Sequence, residues 1–166
     1  MKNFKELLTN IKCFVFDIDG VLTNGSVIVL QNELHRTMNI KDGFALKEAV
    51  DKGYHVAIIS GGKSESTRTR LANLGIKDIY LGVNDKTEKL DEIKLMYDLK
   101  SEEILYMGDD IPDFKVMQQV GAPCCPHDAT HEIRAISVYV SPFKGGEGCV
   151  RDVIEQTLKL QGNWPV

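Results

Sequence analysis

The sequence predicts an α/β fold in which a central parallel sheet lies between two layers of helices, with one projecting β-hairpin. Short apolar runs alternate along the chain with segments whose apolar residues recur every three or four positions. The apolar runs contain few polar residues, which is typical of strands buried on both faces. A chain of 166 residues can bury roughly 70% of its unfolded surface around one core. Residues 1–166 are therefore expected to form a single domain.

The individual elements follow from this alternation. Strands are predicted at residues 13–16, 56–59, 79–83, 104–107, 122–125 and 138–140, and helices at residues 44–51, 64–74, 87–99, 113–120, 130–135 and 150–160. Gly53, Gly75 and Gly121 stand where helices are expected to end. Residues 26–30 and 33–38 flank Gln31 and Asn32, which indicates a hairpin of two antiparallel strands joined by a tight turn.

The composition excludes several classes of protein. The chain has 20 Lys and Arg against 24 Asp and Glu, and this net charge of -4 argues against a nucleic-acid binder with a basic surface. No apolar stretch approaches the ~20 residues that cross a bilayer, and residues 1–12 show no secretory signal, so no membrane partner is expected. The four cysteines match neither a disulfide framework nor a paired zinc motif, so a reduced, cytoplasmic protein is expected. The adjacent Cys124 and Cys125 are expected in a buried strand and not at a metal site.

Polar residues directly follow several predicted strands. In an open parallel sheet, ligands bind beyond the carboxyl ends of the strands, so these residues are expected to line one crevice. The set comprises Asp17, Asp19 and Gly20 after the first strand, Ser60 and Gly61 after the second, Lys86 in a later loop, and Asp109, Asp110 and Asp113 after the fourth. Carboxylates packed this closely repel one another unless a cation lies among them. Oxygen ligation favours Mg²⁺, with Asp17, Asp19 and Asp109 as ligands and Asp110 and Asp113 supporting them.

This set of residues supplies the parts of a phosphoryl-transfer site. Asp17 is expected to attack phosphorus and form an aspartyl-phosphate, which water then hydrolyses. Asp19 is expected to act first as general acid and then as general base. Ser60 and Lys86, with the backbone N–H groups of Gly20 and Gly61, are expected to bind the phosphoryl oxygens.

Taken in order, these residues resemble the four motifs of the haloacid dehalogenase superfamily. The motifs are Asp17-Ile18-Asp19-Gly20-Val21-Leu22-Thr23, then Ser60, then Lys86, then Gly108-Asp109-Asp110-Ile111-Pro112-Asp113. The resemblance covers residues 12–151 and implies a Rossmann-like three-layer sandwich with a phosphatase site. Only 42 residues separate Asp17 from Ser60 and 25 separate Ser60 from Lys86, so neither gap holds a cap domain.

Small superfamily members without a cap often close the site by oligomerising. The hairpin is the element expected to reach a neighbouring subunit, because its apolar residues exceed what one buried face requires. These residues are Val27, Ile28, Val29, Leu30, Leu34 and Met38. The alternative is a hairpin that folds back on its own sheet.

Within the superfamily, the chain is most similar to the tetrameric 3-deoxy-D-manno-octulosonate 8-phosphate phosphatases of lipopolysaccharide synthesis. The supporting stretches are residues 14–24, 39–44, 58–63, 106–113 and 145–151. The resemblance implies a homotetramer that acts on a small sugar-acid phosphate, with Thr23, Lys41 and Lys63 as substrate contacts. It also implies a C-terminal tail, residues 161–166, that can fold over the site.

The chain departs from this family at three positions, since many members have Arg where it has Gly62, Lys41 and Glu147. The departures remove bidentate recognition of a carboxylate, for which Lys41, Lys63, Arg68 and Arg151 remain as candidates. Three alternatives stay open: a phosphatase for the nine-carbon 2-keto-3-deoxynononate 9-phosphate, a receiver-like signalling domain, and an inactive scaffolding domain.

Overall fold

A six-stranded parallel sheet forms the centre of the molecule, for which a computed structural model describes residues 3–166. Its strands are β1 (Cys13–Phe16), β4 (His55–Ile59), β5 (Asp78–Tyr80), β6 (Ile104–Met107), β7 (Ala122–Cys125) and β8 (Tyr139–Val140), in the spatial order β5-β4-β1-β6-β7-β8. A separate antiparallel hairpin consists of β2 (Ile28–Val29) and β3 (Leu34–His35). The helices are α1 (Phe4–Leu8), α2 (Ile40–Asp51), α3 (Glu65–Asn73), α4 (Lys86–Tyr97), α5 (Phe114–Met117), α6 (His131–Ile136) and α7 (Cys149–Leu160).

The sheet separates two apolar cores. Phe14 and Phe16 of β1 belong to the core beneath α2 and α7, whereas Cys13 and Val15 belong to the core on the opposite face. This alternation follows from the two-residue period of a strand. The predicted three-layer α/β fold is therefore confirmed. Among residues 3–166, none of the helices has the length and apolar character that crossing a bilayer needs.

Most predicted elements are present, and the differences lie at their ends. The strand predicted at 79–83 runs instead from Asp78 to Tyr80. Helix α2 begins at Ile40, four residues before the predicted start, because the side-chain oxygen of Asn39 accepts the N–H of Lys41 and caps it. Helix α1 was not predicted, although Asn3 and Glu6 form a capping box at its start.

The prediction that Gly121 ends a helix is wrong. Helix α5 stops at Met117, and the N–H of Gly121 donates to the carbonyl of Ser101 at 2.7 Å. A Cβ atom at Gly121 would lie 2.5 Å from the Cα of Glu102, so close backbone packing explains this glycine. Gly53 and Gly75 do follow α2 and α3 with positive φ angles, as expected for residues after a helix.

Candidate active site

Asp17 lies at the carboxyl end of β1, at the central strand of the sheet. Its side chain is nearly buried, and Oδ1 accepts the N–H of Ile18 at 2.7 Å. The next turn contains Gly20 at a φ of +83°. A Cβ atom there would lie 1.8 Å from Oδ2 of Asp109, so this position must be glycine for the two strand ends to meet.

Lys86 connects the first and last acidic motifs. It is the first residue of α4, and its side chain is only 5% exposed. Its Nζ lies 3.0 Å from Oδ2 of Asp17 and 2.7 Å from Oδ1 of Asp113. Burial alone would lower the pKa of this amine, but the two carboxylates outweigh burial and raise it. Lys86 is therefore held as a cation between Asp17 and Asp113.

Asp113 is completely buried and accepts three hydrogen bonds, including the one from Lys86. Tyr106 donates its hydroxyl to Oδ1 at 2.7 Å, and the N–H of Asp109 donates to Oδ2 at 3.1 Å. Lys86 shares Oδ1 with Tyr106. Asp113 was predicted to support the site. It stands at the N-cap position of α5, but its side chain makes no cap hydrogen bond there and instead interacts with Lys86, Tyr106 and Asp109.

Three carboxylates converge on one point. Asp17, Asp109 and Asp113 each offer an oxygen within 4.8 Å of the other two. Burial, followed by the charge of Asp113, raises the pKa of Asp17 to about 7 even though Lys86 lowers it. Burial and the charges of Asp17, Asp113 and Asp110 raise the pKa of Asp109 to about 8. Oxygen donors that repel one another in this way fit a hard divalent cation such as Mg²⁺.

Comparison with known proteins identifies the family of this site. No family model matches the chain. The 3-deoxy-D-manno-octulosonate 8-phosphate phosphatase KdsC of Escherichia coli K12 is 33% identical over 154 residues, which cover 92% of this chain and 82% of that protein. The chain belongs to the KdsC phosphatase family.

Two solved structures agree with this assignment. The 3-deoxy-D-manno-octulosonate 8-phosphate phosphatase of Moraxella catarrhalis, in complex with a magnesium ion, a phosphate ion and KDO, is 31% identical with a TM-score of 0.92. It covers 96% of this chain and 92% of its own. A hydrolase of HAD superfamily subfamily III A from Legionella pneumophila is 30% identical with a TM-score of 0.92, covering 96% of this chain and 88% of its own.

Asp19 is the second acid of the first motif. It lies outside the group formed by Asp17, Asp109 and Asp113. Arg36 donates to it from Nε at 2.6 Å and from Nη2 at 3.1 Å. The hydroxyl of Thr23 donates to Oδ1 at 3.4 Å. Asp19 was predicted as a metal ligand together with Asp17 and Asp109, but the carboxylate that joins those two residues in the structure is Asp113.

Three of the predicted phosphate-binding residues, Gly20, Ser60 and Gly61, lie in the segments that follow β1 and β4. Ser60 is buried at the end of β4, and its Oγ accepts the N–H of Gly62 at 3.2 Å. Gly61 follows it on the surface. The N–H of Gly20 donates to Oγ1 of Thr23 at 3.3 Å, and the N–H of Gly25 donates to the same hydroxyl at 3.2 Å. Thr23, predicted as a substrate contact, is fully buried and holds this loop together.

The remaining predicted residues, Asp110, Lys63 and Lys41, are all exposed. Asp110 is exposed and accepts the N–H of Ile111 at 2.7 Å. Lys63 is also exposed and lines a polar cavity beside the hairpin, together with Arg36. Lys41 lines a different groove, which it shares with Arg151 and Glu147.

Two of the basic candidates for a substrate carboxylate already have partners. Arg68 donates from Nη1 to the carbonyl of Ile79 at 3.0 Å. Arg151 pairs with Glu155 at 2.8 Å, and its guanidinium lies over the rings of Phe44 and Trp164. Trp164 belongs to the predicted tail, so the tail is anchored on α2 and α7.

The glycine-rich segment before α7 packs against the loop that follows Asp17. The N–H of Gly146 donates to the carbonyl of Val21 at 2.9 Å. A Cβ atom at Gly145 would lie 2.0 Å from the carbonyl oxygen of Gly20, and the N–H of Gly145 donates to Asp128 at 2.9 Å. Close packing against the catalytic loop, and not flexibility, accounts for these glycines.

Two site residues were absent from the sequence-based prediction. Arg36 occupies no motif, and only the three-dimensional position of the hairpin brings it to Asp19. Tyr106 lies within an apolar strand, and its hydroxyl reaches Asp113 only because β6 ends beside that residue. A phenol in an otherwise apolar buried run is a signal that such a strand has a polar partner.

Proposed function

We propose that this protein is a Mg²⁺-dependent phosphatase that hydrolyses 3-deoxy-D-manno-octulosonate 8-phosphate to the free sugar acid and phosphate in lipopolysaccharide biosynthesis. It is a phosphoric monoester hydrolase of the KdsC family. The observation that carries the proposal is the joining of Asp17, Lys86, Asp109 and Asp113 in one buried cluster at the carboxyl ends of the strands.

Asp17, Asp109 and Asp113 are the residues that would hold Mg²⁺. The raised pKa values of Asp17 and Asp109, together with the space that Gly20 leaves beside Asp109, fit a cation among these carboxylates. When bound, Mg²⁺ neutralises negative charge on the phosphoryl oxygens and on the carboxylates. Removal of the ion should therefore abolish phosphate release while leaving the apolar cores intact.

In the first half of the reaction, the carboxylate of Asp17 attacks phosphorus. A new bond forms between this oxygen and phosphorus as the bond from phosphorus to the sugar oxygen breaks, which yields an aspartyl-phosphate. Lys86 orients Asp17 through its 3.0 Å contact and stabilises the transferring group. Asp19 donates a proton to the departing sugar oxygen. Ser60, with the N–H groups of Gly20 and Gly61, donates hydrogen bonds to the phosphoryl oxygens.

In the second half, water attacks the phosphorus of the aspartyl-phosphate. Asp19 takes a proton from this water, which restores the carboxyl group that the first half consumed. The bond between phosphorus and Asp17 then breaks, releasing phosphate and the free Asp17 carboxylate. Lys86 remains paired with Asp113 at 2.7 Å during this exchange, so its position does not depend on Asp17 alone.

The eight-carbon substrate is favoured over the nine-carbon 2-keto-3-deoxynononate 9-phosphate, because the named relatives are phosphatases for the eight-carbon sugar. Lys63 and Lys41 stay as proposed contacts for the substrate. Lys63 has the better position, since it is exposed beside the hairpin and the loop after β4. Neither a receiver-like domain nor an inactive scaffold accounts for such a match over 92% of the chain.

A homotetramer in the cytoplasm is part of the proposal. Val27, Ile28, Val29, Leu30 and Leu34 of the hairpin are all exposed, with Val29 74% exposed. The hairpin pairs with no strand of the central sheet. An exposed apolar hairpin supports contact with other copies of the chain. The four cysteines are free thiols, which supports a reduced compartment.

The test is a comparison of kcat/KM for the eight-carbon and nine-carbon keto-acid phosphates, with Mg²⁺ and with a chelator. The proposal expects Mg²⁺-dependent phosphate release with the eight-carbon compound as the better substrate. A higher kcat/KM for the nine-carbon compound would mean that the proposed substrate is wrong, while the proposed phosphatase mechanism would stand. If no sugar phosphate is hydrolysed, the receiver-like or scaffolding alternatives are favoured.

A further inference from the structure

Arg36 lies directly after β3, at the foot of the hairpin, and holds the carboxylate of Asp19. Its Nε donates to Oδ1 at 2.6 Å and its Nη2 donates to Oδ2 at 3.1 Å. The Arg36 side chain is only 9% exposed, whereas the Asp19 side chain is 38% exposed. A planar guanidinium that contacts both oxygens fixes the plane of a carboxylate, which a single contact does not do.

Asp19 has little else to fix its orientation. Apart from Arg36, its only recorded side-chain partner within residues 3–166 is the hydroxyl of Thr23, at 3.4 Å. This contrasts with Asp17 and Asp113, which are buried and held by Lys86. The orientation of Asp19 at the mouth of the crevice therefore depends mainly on Arg36.

The Arg36–Asp19 pair lies beside Gly62, whose lack of a side chain leaves room for it. A Cβ atom at Gly62 would lie 3.5 Å from Nη2 of Arg36 and 3.6 Å from Oδ2 of Asp19. The same atom would lie 3.6 Å from Oγ of Ser60, so the pair stands beside the proposed phosphate-binding residues. A long side chain at position 62 would compete with Arg36 for this space.

We propose that Arg36 is a positioning residue that holds Asp19 for proton transfer and so couples the hairpin to catalysis. The inference rests on the proposed function, in which Asp19 protonates the departing oxygen: the acid carries this proton on Oδ2 in place of the Nη2 hydrogen bond and stays held at Oδ1 by Nε. Because Arg36 belongs to the hairpin and Asp19 to the loop after β1, a displacement of the hairpin moves the acid. The phosphoryl-binding groups Lys86 and Ser60 are not linked to Arg36 by any recorded hydrogen bond among residues 3–166.

The experiment compares leaving groups that need a proton with one that does not. Wild type, Arg36→Gln, Arg36→Lys and the control His35→Gln, an exposed neighbour on the same hairpin, are assayed on p-nitrophenyl phosphate, phenyl phosphate and the eight-carbon sugar phosphate. The readout is the single-turnover rate of leaving-group release together with KM. Circular dichroism and sedimentation velocity verify the fold and assembly of each variant.

We expect Arg36→Gln to lower the rate about 10- to 100-fold for the sugar phosphate and for phenyl phosphate, with KM nearly unchanged. The rate for p-nitrophenyl phosphate should stay within about threefold of wild type, because p-nitrophenolate departs without a proton. Arg36→Lys should recover part of the loss, and His35→Gln should behave as wild type.

Equal losses on all three substrates would overturn the proposal in favour of a purely structural Arg36. A raised KM with unchanged kcat would overturn it in favour of substrate binding by Arg36. Unchanged rates in every case would also overturn it. If wild type hydrolyses the two aryl phosphates but no sugar phosphate, the proposed substrate fails while the aryl pair still tests Arg36.

Discussion

At the residue scale, Gly20 shows how closely the two acidic loops approach. Gly20 has a φ of +83°, and Gly25 has a nearly identical φ of +82°. A Cβ atom at Gly25 would meet nothing closer than the Cα of Gly20 at 3.7 Å, whereas one at Gly20 would lie 1.8 Å from Oδ2 of Asp109. Substitutions at the two glycines therefore separate backbone strain from displacement of Asp109, a proposed metal ligand.

Gly20→Ala and Gly25→Ala form a matched pair. Each should destabilise the fold by roughly 1–2 kcal/mol, because alanine is strained at positive φ. Only Gly20→Ala should also lower the affinity for Mg²⁺, by at least tenfold, since Asp109 must move. Urea unfolding measures the loss of stability, and Mg²⁺ titration of phosphate release measures the loss of Mg²⁺ affinity. Equal Mg²⁺ affinities in the two variants would show that Asp109 is not a ligand.

Asp17→Asn tests the covalent route. An amide is a poor nucleophile, so phosphate release should fall by at least about a thousandfold, with circular dichroism unchanged. Removing the charge should not unfold the chain, because Lys86 keeps its 2.7 Å contact with Asp113. Transfer of radiolabelled phosphorus from the substrate to Asp17 of the wild-type enzyme, trapped by rapid acid quench within one turnover, provides an independent measurement. Wild-type rates in Asp17→Asn would contradict the aspartyl-phosphate.

The two kinds of site residue differ in what the sequence could predict. Asp17 directly follows β1, Asp109 lies two residues after β6, and Lys86 begins the helix after β5, so the strand order brings them together. Arg36 and Tyr106 depend instead on how the hairpin and β6 are placed in space. The role of Asp19 as a metal ligand stays a prediction, whereas its contact with the Arg36 guanidinium was not foreseen for the same reason.

At the scale of elements, the hairpin carries a run of exposed apolar side chains. Val29 is 74% exposed and Leu34 is 44% exposed. Leu95, on α4, is 85% exposed but lies on a different element. Solvent exposure alone thus does not distinguish an interface from an isolated surface leucine.

Val29→Asp should reduce the assembly state, while Leu95→Asp, a substitution at an even more exposed apolar residue, should not. A charge within an apolar subunit contact costs several kcal/mol unless it finds a partner. We expect sedimentation velocity to show smaller species for Val29→Asp and lower activity at the same protein concentration. A fully active monomer would remove the proposed role of assembly in closing the site.

Buried strands were the easiest elements to predict. β1, β6 and β7 have the bounds that the apolar runs indicate, because their position in the sheet requires continuous apolar sequence. Helix ends were harder, since α2 depends on the capping of its first turn by Asn39 and α5 stops well before Gly121. A backbone approach such as that of Gly121 to Glu102 links distant parts of the chain and leaves no local pattern.

At the scale of the whole molecule, Asp42 connects two helices of one layer. It lies in α2, is 1% exposed, and its Oδ1 accepts the N–H of Arg151 in α7 at 2.8 Å. Its Oδ2 is buried without a hydrogen-bond partner. Burial raises the pKa of Asp42 to about 6, although the N–H groups of Arg151 and Gly148 lower it. The folded protein therefore holds this proton more tightly than the unfolded chain does.

Asp42 makes stability depend on pH. Its contribution is fully present below the unfolded value near 4 and is lost as pH rises through about 6, because the carboxylate must then be buried as an anion. Asp42→Asn cannot titrate, so its stability relative to wild type should increase by up to about 3 kcal/mol between pH 4 and pH 8. Urea unfolding of the two proteins at each pH measures the difference. A pH-independent difference would show that Asp42 is ionised alike in both states.

Gly145 and Gly146 pack against Gly20 and Val21, and this contact affects when the chain becomes active during its translation. The loop with Asp17 is translated more than a hundred residues before the segment that packs against it. A nascent chain that ends before this segment therefore lacks the support for the loop. Acquisition of activity should require translation through residue 146 at least.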